Sequence, residues 1–219
     1  MTVLDAYTYV QDGLNKLSTN SGENIPKNNF VRAFNAVQYQ WVEDRVKLNE
    51  LNKIRIDEIQ QLVSNSVLEA PSKKTQYYEF TLPQNYYHYI RSYSDLNGCS
   101  LDNWLVKEGD INVLLSDEFW KPSKEWGETI CTLGQDKLKV YYDDFSIKRI
   151  NLTYFRYPIE INMEDGYPDV NGTPTVNVDP EFKGSSLIEI LNLTIQHLAG
   201  IINDQNRYTI FSNKVQSHT

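Results

Sequence analysis

The chain has few of the residues that usually carry metal, redox or nucleic-acid chemistry. Its 219 residues include two cysteines and three histidines, and 21 basic against 29 acidic side chains leave a net charge of −8. Binding to DNA phosphates needs a surplus of positive charge, so this balance disfavours a sequence-reading nucleic-acid protein. No uncharged apolar run approaches the roughly 18 residues of a membrane-spanning helix, so we expect no membrane segment.

The two cysteines suggest neither a metal site nor a redox motif. Cys99 and Cys131 are 32 residues apart, which fits no zinc or redox spacing, and a disulfide between them is the alternative. The N-terminal segment has neither the basic nor the apolar region of a secretory signal, so we expect folding in a reducing compartment. Two buried, reduced thiols are therefore predicted.

The histidines and carboxylates form no recognisable catalytic or metal-binding motif. His88 falls among the tyrosines of a predicted strand, His197 beside the apolar stripe of the last predicted helix, and His218 in the tail. None of them has metal-ligand spacing. Asp143 and Asp144 could act as the paired carboxylates of a glycosidase, but turns also favour aspartate. We expect a protein that is not an enzyme and has no cofactor and no metal site.

Aromatic side chains are abundant, and they coincide with the acidity. Fifteen Tyr, eight Phe and four Trp exclude an ordinary disordered chain. Residues 75–175 hold sixteen acidic and nine basic side chains, whereas residues 1–74 hold nine of each. Eleven of the fifteen tyrosines lie between residues 77 and 167. The surplus of acid and the surplus of tyrosine therefore share one segment.

Apolar residues at helical spacing predict three helices near the two ends of the chain. The first follows a weak capping box of Thr2 and Asp5. The second is predicted over about residues 29–66, and the third from residue 179 to about residue 211. A narrow apolar seam on a long helix needs neighbours, from its own chain or from other subunits. We assign subunit packing to the seam residues Phe30, Phe34, Val37, Trp41, Leu48, Leu51, Leu191 and Leu198.

Between these helices the period of the pattern changes to two, which predicts strands. Alternating residues 76–82 form one strand, and a turn at residues 95–98 joins two others into a hairpin. A further strand is predicted at residues 111–115. Residues 137–142 and 147–156 are predicted to form a second hairpin across Asp143 and Asp144. Short strands separated by frequent turns indicate a small antiparallel sandwich or barrel.

The aromatic residues of this segment have two interpretations. Tyr packs well on a half-buried sheet, and Tyr and Trp are also favoured anchors at protein interfaces. Aromatic rings can stack on sugars as well. We assign protein docking to Tyr86, Tyr87, Tyr89, Trp120 and Trp126.

The predicted fold class is α+β, with a bundle of long N- and C-terminal helices and an inserted small antiparallel β-sandwich or barrel. The helical domain comprises residues 1–70 and 179–212, and the β insert comprises residues 75–160. Residues 161–178 form an extended loop, and residues 213–219 form a flexible tail.

Four local patterns, in order along nearly the whole chain, resemble a known family. The first is FVRAFNAVQYQW at residues 30–41, and the second is FTLPQNYYHY at residues 80–89. The third combines KPS at residues 121–123 with Trp126 and with KVYY at residues 139–142. The fourth is INLTYFRYP at residues 150–158. Their succession is similar to the head-to-tail connector proteins of tailed bacteriophages. It is most similar to the adaptor or ring proteins below the portal of short-tailed and crAss-like phages.

The resemblance implies a structural virion protein at the head–tail junction, assembled in the host cytoplasm. Such a protein forms a ring, commonly of twelve copies, that contacts the portal protein and neighbouring tail or ring proteins. Double-stranded DNA passes through it during genome ejection without sequence-specific binding, and the family has no catalytic residues to carry over. A carbohydrate- or receptor-binding tail module is the alternative, and a hydrolase using Asp143 and Asp144 is a third hypothesis.

Overall fold

Two separate stretches of the chain come together as one unit, and the stretch between them forms a second. Residues 1–60 and 158–219 make up the first unit, and residues 61–157 make up the second. The structure, a computed structural model, describes residues 1–15, 24–52, 56–69, 71–96, 98–164 and 176–201. The side chains of residues 49–52, 56 and 201 are not among those described.

The helices and strands alternate along the chain in blocks. The helices are α1 (Val3–Asn15), α2 (Lys27–Asn52), α3 (Ile56–Ile59), α4 (Ile111–Ser116) and α5 (Gly184–Ile201). The strands are β1 (Val63–Glu69), β2 (Ser72–Lys73), β3 (Tyr77–Thr81), β4 (Tyr86–Leu96), β5 (Cys99–Leu105), β6 (Glu128–Leu133), β7 (Lys137–Tyr141) and β8 (Arg149–Arg156). Short 3-10 turns occupy Gln60–Leu62 and Glu108–Asp110.

The strands of the second unit belong to one mixed sheet. Their order across the sheet is β1-β8-β4-β5-β6-β7-β3-β2. Neighbouring strands are antiparallel except β5 and β6, which run parallel with Asp102 opposite Glu128. The sheet curls into a half-barrel, because the natural twist of strands accumulates across a wide sheet.

Alternation along β6 and β7 places core residues on both faces of the sheet. Cys131 and Val140 lie in the larger apolar cluster, with Phe80, Leu101, Leu138, Ile150 and Leu152. Their chain neighbours Ile130 and Tyr141 lie in a smaller cluster, which also holds Ile111 of α4. Since successive side chains of a strand point to opposite faces, this part of the sheet is covered on both sides.

The first unit begins with the predicted capping box. The Thr2 amide donates to Asp5 Oδ2 at 2.9 Å, and the Asp5 amide donates to Thr2 Oγ1 at 3.2 Å. These bonds satisfy free amides at the helix terminus and confirm the predicted start of the first helix. The Val3 amide donates to Asp179 Oδ1 at 2.7 Å. Asp179, expected to start the last helix, therefore contacts the N-terminus of α1, and α5 begins at Gly184.

An ion cluster joins α2, α3 and α5, and an aromatic contact joins α2 to Phe182, two residues before α5 begins. Arg45 Nη2 donates to both carboxylate oxygens of Glu189 at 2.6 and 2.7 Å. Arg45 Nε also lies 2.7 Å from Glu58 Oε2. The Trp41 and Phe182 rings meet edge to face with centroids 5.1 Å apart. Arg45 is buried, so the two carboxylates compensate a charge that would otherwise be costly to bury.

The predicted fold class is wrong. We expected an α+β chain built as a bundle of long N- and C-terminal helices with a small antiparallel insert. The eight described strands form one curled half-barrel sheet, and the described helices do not make a bundle of long N- and C-terminal helices. Among the described strands there is neither a closed barrel nor a second sheet, and the parallel pairing of β5 with β6 is a further departure.

The error begins in the second predicted helix, at residues 29–66. α2 ends at Asn52, and residues 63–69 form β1, which pairs with β8 from Val63 opposite Phe155 to Glu69 opposite Arg149. The sequence VSNSV at residues 63–67 combines β-branched residues with short polar ones, and both groups disfavour a helix. The helix was predicted from apolar spacing alone, and it therefore included residues whose side chains disfavour a helical backbone.

Two predictions within the sheet are also wrong. Residues 111–115 form α4 instead of a strand, because a short apolar run fits either structure. The hairpin across Asp143 and Asp144 does not form, since β7 pairs with β3 and β6 while β8 pairs with β1 and β4. The hairpin of β4 and β5 is confirmed by Leu96 lying opposite Cys99. Gly98 in that turn has a φ of 106°, which favours glycine.

Some predictions fall outside the described residues. These are the end of the last helix beyond residue 201, residues 165–175 of the extended loop, and the tail at residues 213–219. Within the described part of the loop, Asn162 and Val178 exchange two backbone hydrogen bonds of 3.3 and 2.9 Å.

Candidate docking site

Three of the four tryptophans of the chain meet at one groove in the second unit. Trp104 lies near the end of β5, Trp120 follows α4 and Trp126 precedes β6. The Phe119 ring lies beside them, with its centroid 6.2 Å from that of Trp126. We call this the aromatic groove, and its other lining residues are Val106, Leu114, Lys121, Ser123, Glu128, Thr129 and Ile130.

Hydrogen bonds donated by backbone amides close the connection between α4 and β6 at both ends. Asp117 Oδ1 accepts from the Phe119 amide at 2.9 Å, and the Asp117 carbonyl accepts from the Trp120 amide at 3.3 Å. Near β6, Ser123 and Glu128 exchange two backbone bonds of 2.9 and 3.2 Å. These bonds position the aromatic residues that lie between them.

A glycine joins this connection to β5. Gly127 has a φ of 73°, a conformation that favours glycine because other residues are strained there. Its carbonyl accepts from the Asp102 amide at 2.9 Å, and Asp102 is two residues before Trp104. The Trp126 amide donates to Ser123 Oγ at 3.3 Å. The backbone at Gly127 therefore brings Trp126 and Trp104 to the same place.

The aromatic side chains of the groove are unusually open to solvent. The exposed fraction is 55% for Trp104, 74% for Phe119, 59% for Trp120 and 54% for Trp126. The cavity that they line has a volume of about 120 Å³, whereas sites for drug-sized ligands have roughly 300–1,000 Å³. Grouped, exposed aromatic surface is typical of interaction sites. The groove therefore fits one side chain or one ring of a larger partner.

The surroundings of the groove are acidic. Residues 101–130 carry seven acidic and three basic side chains, a net charge of −4. A hydrogen bond of 2.7 Å from Lys139 lowers the pKa of the Glu108 carboxyl and raises that of Lys139. Lys121 Nζ lies 3.9 Å from Asp143 Oδ2. All seven carboxylates of this stretch are exposed, namely Asp102, Glu108, Asp110, Asp117, Glu118, Glu125 and Glu128.

The structure brings together only two of the five residues assigned to docking, Trp120 and Trp126. The three tyrosines lie on β4 and are half-buried. Tyr86 packs against Tyr154 with ring centroids 5.7 Å apart, and Tyr87 packs against Tyr157 at 4.9 Å. Tyr89 packs against the larger core cluster. Tyr86, Tyr87 and Tyr89 therefore support the sheet away from the groove.

Sequence reasoning missed Trp104 and Phe119. The signal for Trp104 is the alternation of β5, where Leu101 and Asn103 are buried and the residues between and after them are exposed. That pattern places a tryptophan on a solvent-facing position of a strand. Phe119 has no comparable signal, since it depends on the turn that Asp117 begins.

A polar network lies inside the sheet beside β4. The Tyr89 hydroxyl contacts Ser92 Oγ at 3.0 Å and Cys131 Sγ at 3.8 Å, and Asn103 Nδ2 donates to Ser92 Oγ at 2.8 Å. Burial raises the pKa of Cys131 to about 12 and that of Tyr86 to about 12, and it also raises the pKa of Tyr89. At neutral pH these groups stay protonated, so the network stabilises the fold and supplies no nucleophile.

Most residues assigned to subunit packing are buried within their own chain. These are Phe30, Phe34, Val37, Trp41, Leu191 and Leu198. Leu48 is 36% exposed, and the side chain of Leu51 lies outside the described ones. A side chain buried in one protomer offers no surface to the next. Lateral packing between subunits stays a prediction that rests on Leu48 and on surfaces outside this seam.

The cysteines are both free thiols, and they differ in exposure. Cys131 is buried in the larger cluster, whereas Cys99 is exposed at the start of β5. The prediction of two buried thiols is wrong for Cys99, because the β4–β5 turn places it at the surface.

The described residues contain no group of three or more His, Cys, Asp or Glu side chains that could hold a metal ion. Asp143 and Asp144 are exposed in the connection between β7 and β8. None of the helices in the described ranges is both long and apolar enough to cross a membrane.

Comparison with known proteins identifies no family. No protein-family model matches the chain, and no characterised protein sequence matches it significantly. Its function is therefore inferred from its own residues and from the succession of sequence patterns described above.

Proposed function

We propose that this chain is a structural virion protein that forms a connector ring below the portal of a tailed bacteriophage. The ring joins the capsid to the tail and forms a conduit for DNA. The observation that carries the proposal is the aromatic groove, which offers a neighbouring protein a small, exposed and apolar binding site. Its partner in this role is the portal protein or an adjacent tail or ring protein.

The charge of the chain is compatible with a conduit. Twelve chains with a net charge of −8 each carry −96 in total. A wall without a basic surplus does not hold phosphates through counterion release, so DNA passes without being gripped. A ring also follows when one surface of a subunit repeatedly contacts a different surface of the next and the rotation closes.

Mass spectrometry of purified virions tests this proposal. The expected result is that the protein is present at a copy number close to that of the portal protein. Its absence from intact virions would contradict the proposal. Electron microscopy of the same particles then locates it, and density at the head–tail junction is expected.

A carbohydrate- or receptor-binding tail module is the second candidate, and the three tryptophans of the groove favour it. Indole faces can stack on sugar rings, and Glu128 and Ser123 in the lining could bond hydroxyl groups. This function predicts that neutral oligosaccharides bind the full chain and that Trp126→Ala abolishes binding. Failure of a broad panel of glycans to bind would exclude it in favour of protein docking.

A further inference from the structure

We propose that the aromatic groove binds an arginine side chain carried by a segment of the partner protein. This rests on the proposed function only for the identity of that partner. The groove then recognises a cation between aromatic rings, with an acidic rim that attracts a basic segment.

The first support is the chemistry of the groove wall. A cation within roughly 6 Å of an aromatic centroid is attracted to the ring face, and tryptophan is the best ring for this. The chain uses the same contact elsewhere, since the Arg45 guanidinium lies 5.1 Å from the Trp41 ring. Lys73 Nζ likewise lies 5.8 Å from the Tyr78 ring and 5.2 Å from the Tyr142 ring. Within the described part of the chain, cations lie over the rings of Trp41, Tyr77, Tyr78 and Tyr142, and none lies over the three indoles of the groove.

The second support is charge complementarity. The net charge of −4 over residues 101–130 favours a cationic segment and repels an acidic one. Lys121 also lines the groove, and its positive charge would repel a cationic segment. Its Nζ lies 3.9 Å from Asp143 Oδ2, and that carboxylate reduces the repulsion. Glu128 lies in the lining itself. The net charge does not attract a neutral sugar, whose hydroxyls could only donate hydrogen bonds to single carboxylates such as Glu128, so the charge favours a basic polypeptide.

The third support is size. A cavity of about 120 Å³ accepts one side chain but not a drug-sized molecule. Among cationic side chains, arginine is planar, stacks on aromatic faces and is more weakly hydrated than lysine. An arginine therefore suits a groove walled by rings better than a lysine does.

The test uses the full chain labelled with nitrogen-15 at its tryptophans. The probe is the peptide acetyl-Ser-Leu-Arg-Leu-Ser-amide, titrated to about 10 mM, a range that detects weak binding. The matched peptide has glutamine in place of arginine, and maltotriose and chitotriose serve as neutral sugar probes. The four indole N–H signals are followed, and Trp41 is the internal control because it is buried in the other unit.

The arginine peptide is expected to shift the signals of Trp104, Trp120 and Trp126 and to leave that of Trp41 unchanged. Glu128→Gln and Trp126→Ala are each expected to weaken binding by about tenfold. Val113→Ala is the matched control, since Val113 is 70% exposed on α4 and lies outside the groove lining. Binding is expected to weaken as salt is raised, because the rim charges are exposed.

Three results would overturn the inference: equal binding of the glutamine peptide, binding of a sugar probe in its place, or no shift with the arginine peptide. These results are distinct from failure of the proposed function. If virions contain the protein but the arginine peptide does not bind, the connector proposal stands and this inference fails. If the peptide binds and virions lack the protein, the groove chemistry stands and the connector proposal fails.

Discussion

The rings of Phe119 and Trp126 lie 6.2 Å apart, across the connection between α4 and β6. Both rings line the aromatic groove, and both side chains are more than half exposed. Neither ring belongs to the apolar clusters of the sheet. Binding and folding should therefore be separable by substitution at this place.

Trp126→Ala is expected to reduce binding of the partner protein by about tenfold or more, since exposed aromatic anchors dominate many interfaces. The free energy of unfolding should change by less than about 1 kcal/mol, because the side chain is not part of the core. Co-purification with the portal or tail proteins measures the first effect, and urea unfolding measures the second. Val113→Ala should change neither quantity, and a similar loss of binding in that control would argue against the groove.

Gly127→Ala is expected to lower the free energy of unfolding by about 1 kcal/mol, because alanine is strained at a positive φ. It should also shift the indole signals of Trp104 and Trp126, since the Gly127 carbonyl joins the connection to β5. Gly109→Ala is the matched control, because Gly109 has open space around it and no positive φ. Equal stability of the two variants would show that the backbone at Gly127 is not constrained as described.

Alkaline pH is expected to destabilise the sheet. Burial raises the pKa of Tyr86 to about 12 and that of Cys131 to about 12, whereas in the unfolded chain these groups titrate near 10 and 9. The folded state therefore holds protons that the unfolded state releases. The stability that these groups contribute is fully present below about pH 9 and is lost as the pH rises to about 12. Urea unfolding at a series of pH values measures this loss.

A matched pair of variants tests the cause. Tyr86→Phe removes one of the titrating groups and should flatten the decline in stability above about pH 10. Tyr157→Phe, which removes a phenol from a tyrosine that is 45% exposed, is the matched control. If the free energy of unfolding falls as steeply with pH in the Tyr86→Phe protein as in the original protein, the burial of Tyr86 does not contribute to the loss of stability.

Glu189→Gln is expected to destabilise the first unit by about 3 kcal/mol or more, because it leaves the buried Arg45 with less compensating charge. Thermal unfolding measures the effect. Lys47→Met removes an exposed pair with Glu43 and should cost less than about 0.5 kcal/mol. If both variants unfold alike, the Arg45 cluster does not stabilise the contact of α2 with α5.

Local signals predicted local structure well and distant pairing poorly. The capping box at Thr2 and Asp5 and the turn before Cys99 depend on a few consecutive residues, and both are confirmed. The strand at residues 63–69 needs β8, whose paired residues lie 80 to 92 positions further along the chain. The apolar spacing near residue 63 contains no information about β8. The predicted helix was therefore extended to residue 66, past the observed end of α2.

Two residues of the aromatic groove could be predicted from local sequence, and a third could not because it depends on distant strand pairing. Trp120 and Trp126 lie six residues apart in the connection between α4 and β6, so an aromatic segment of the sequence is enough to place both of them in one candidate site. Trp104 joins them only because β5 and β6 pair in parallel, with Trp104 opposite Ile130. Parallel pairing requires a crossover, here the segment that contains α4. The paired residues are 26 positions apart in the sequence, as with Asp102 and Glu128, which is beyond the reach of a local pattern.

The most direct test of docking through the groove is photo-cross-linking in the assembled virion. A photoreactive phenylalanine analogue replaces Phe119, and in a matched particle it replaces Val113, which is exposed outside the groove lining. The account predicts that the analogue at position 119 cross-links to a portal or tail protein, while the one at position 113 does so weakly or not at all. Absence of a cross-link at position 119 in particles that contain the protein would contradict it.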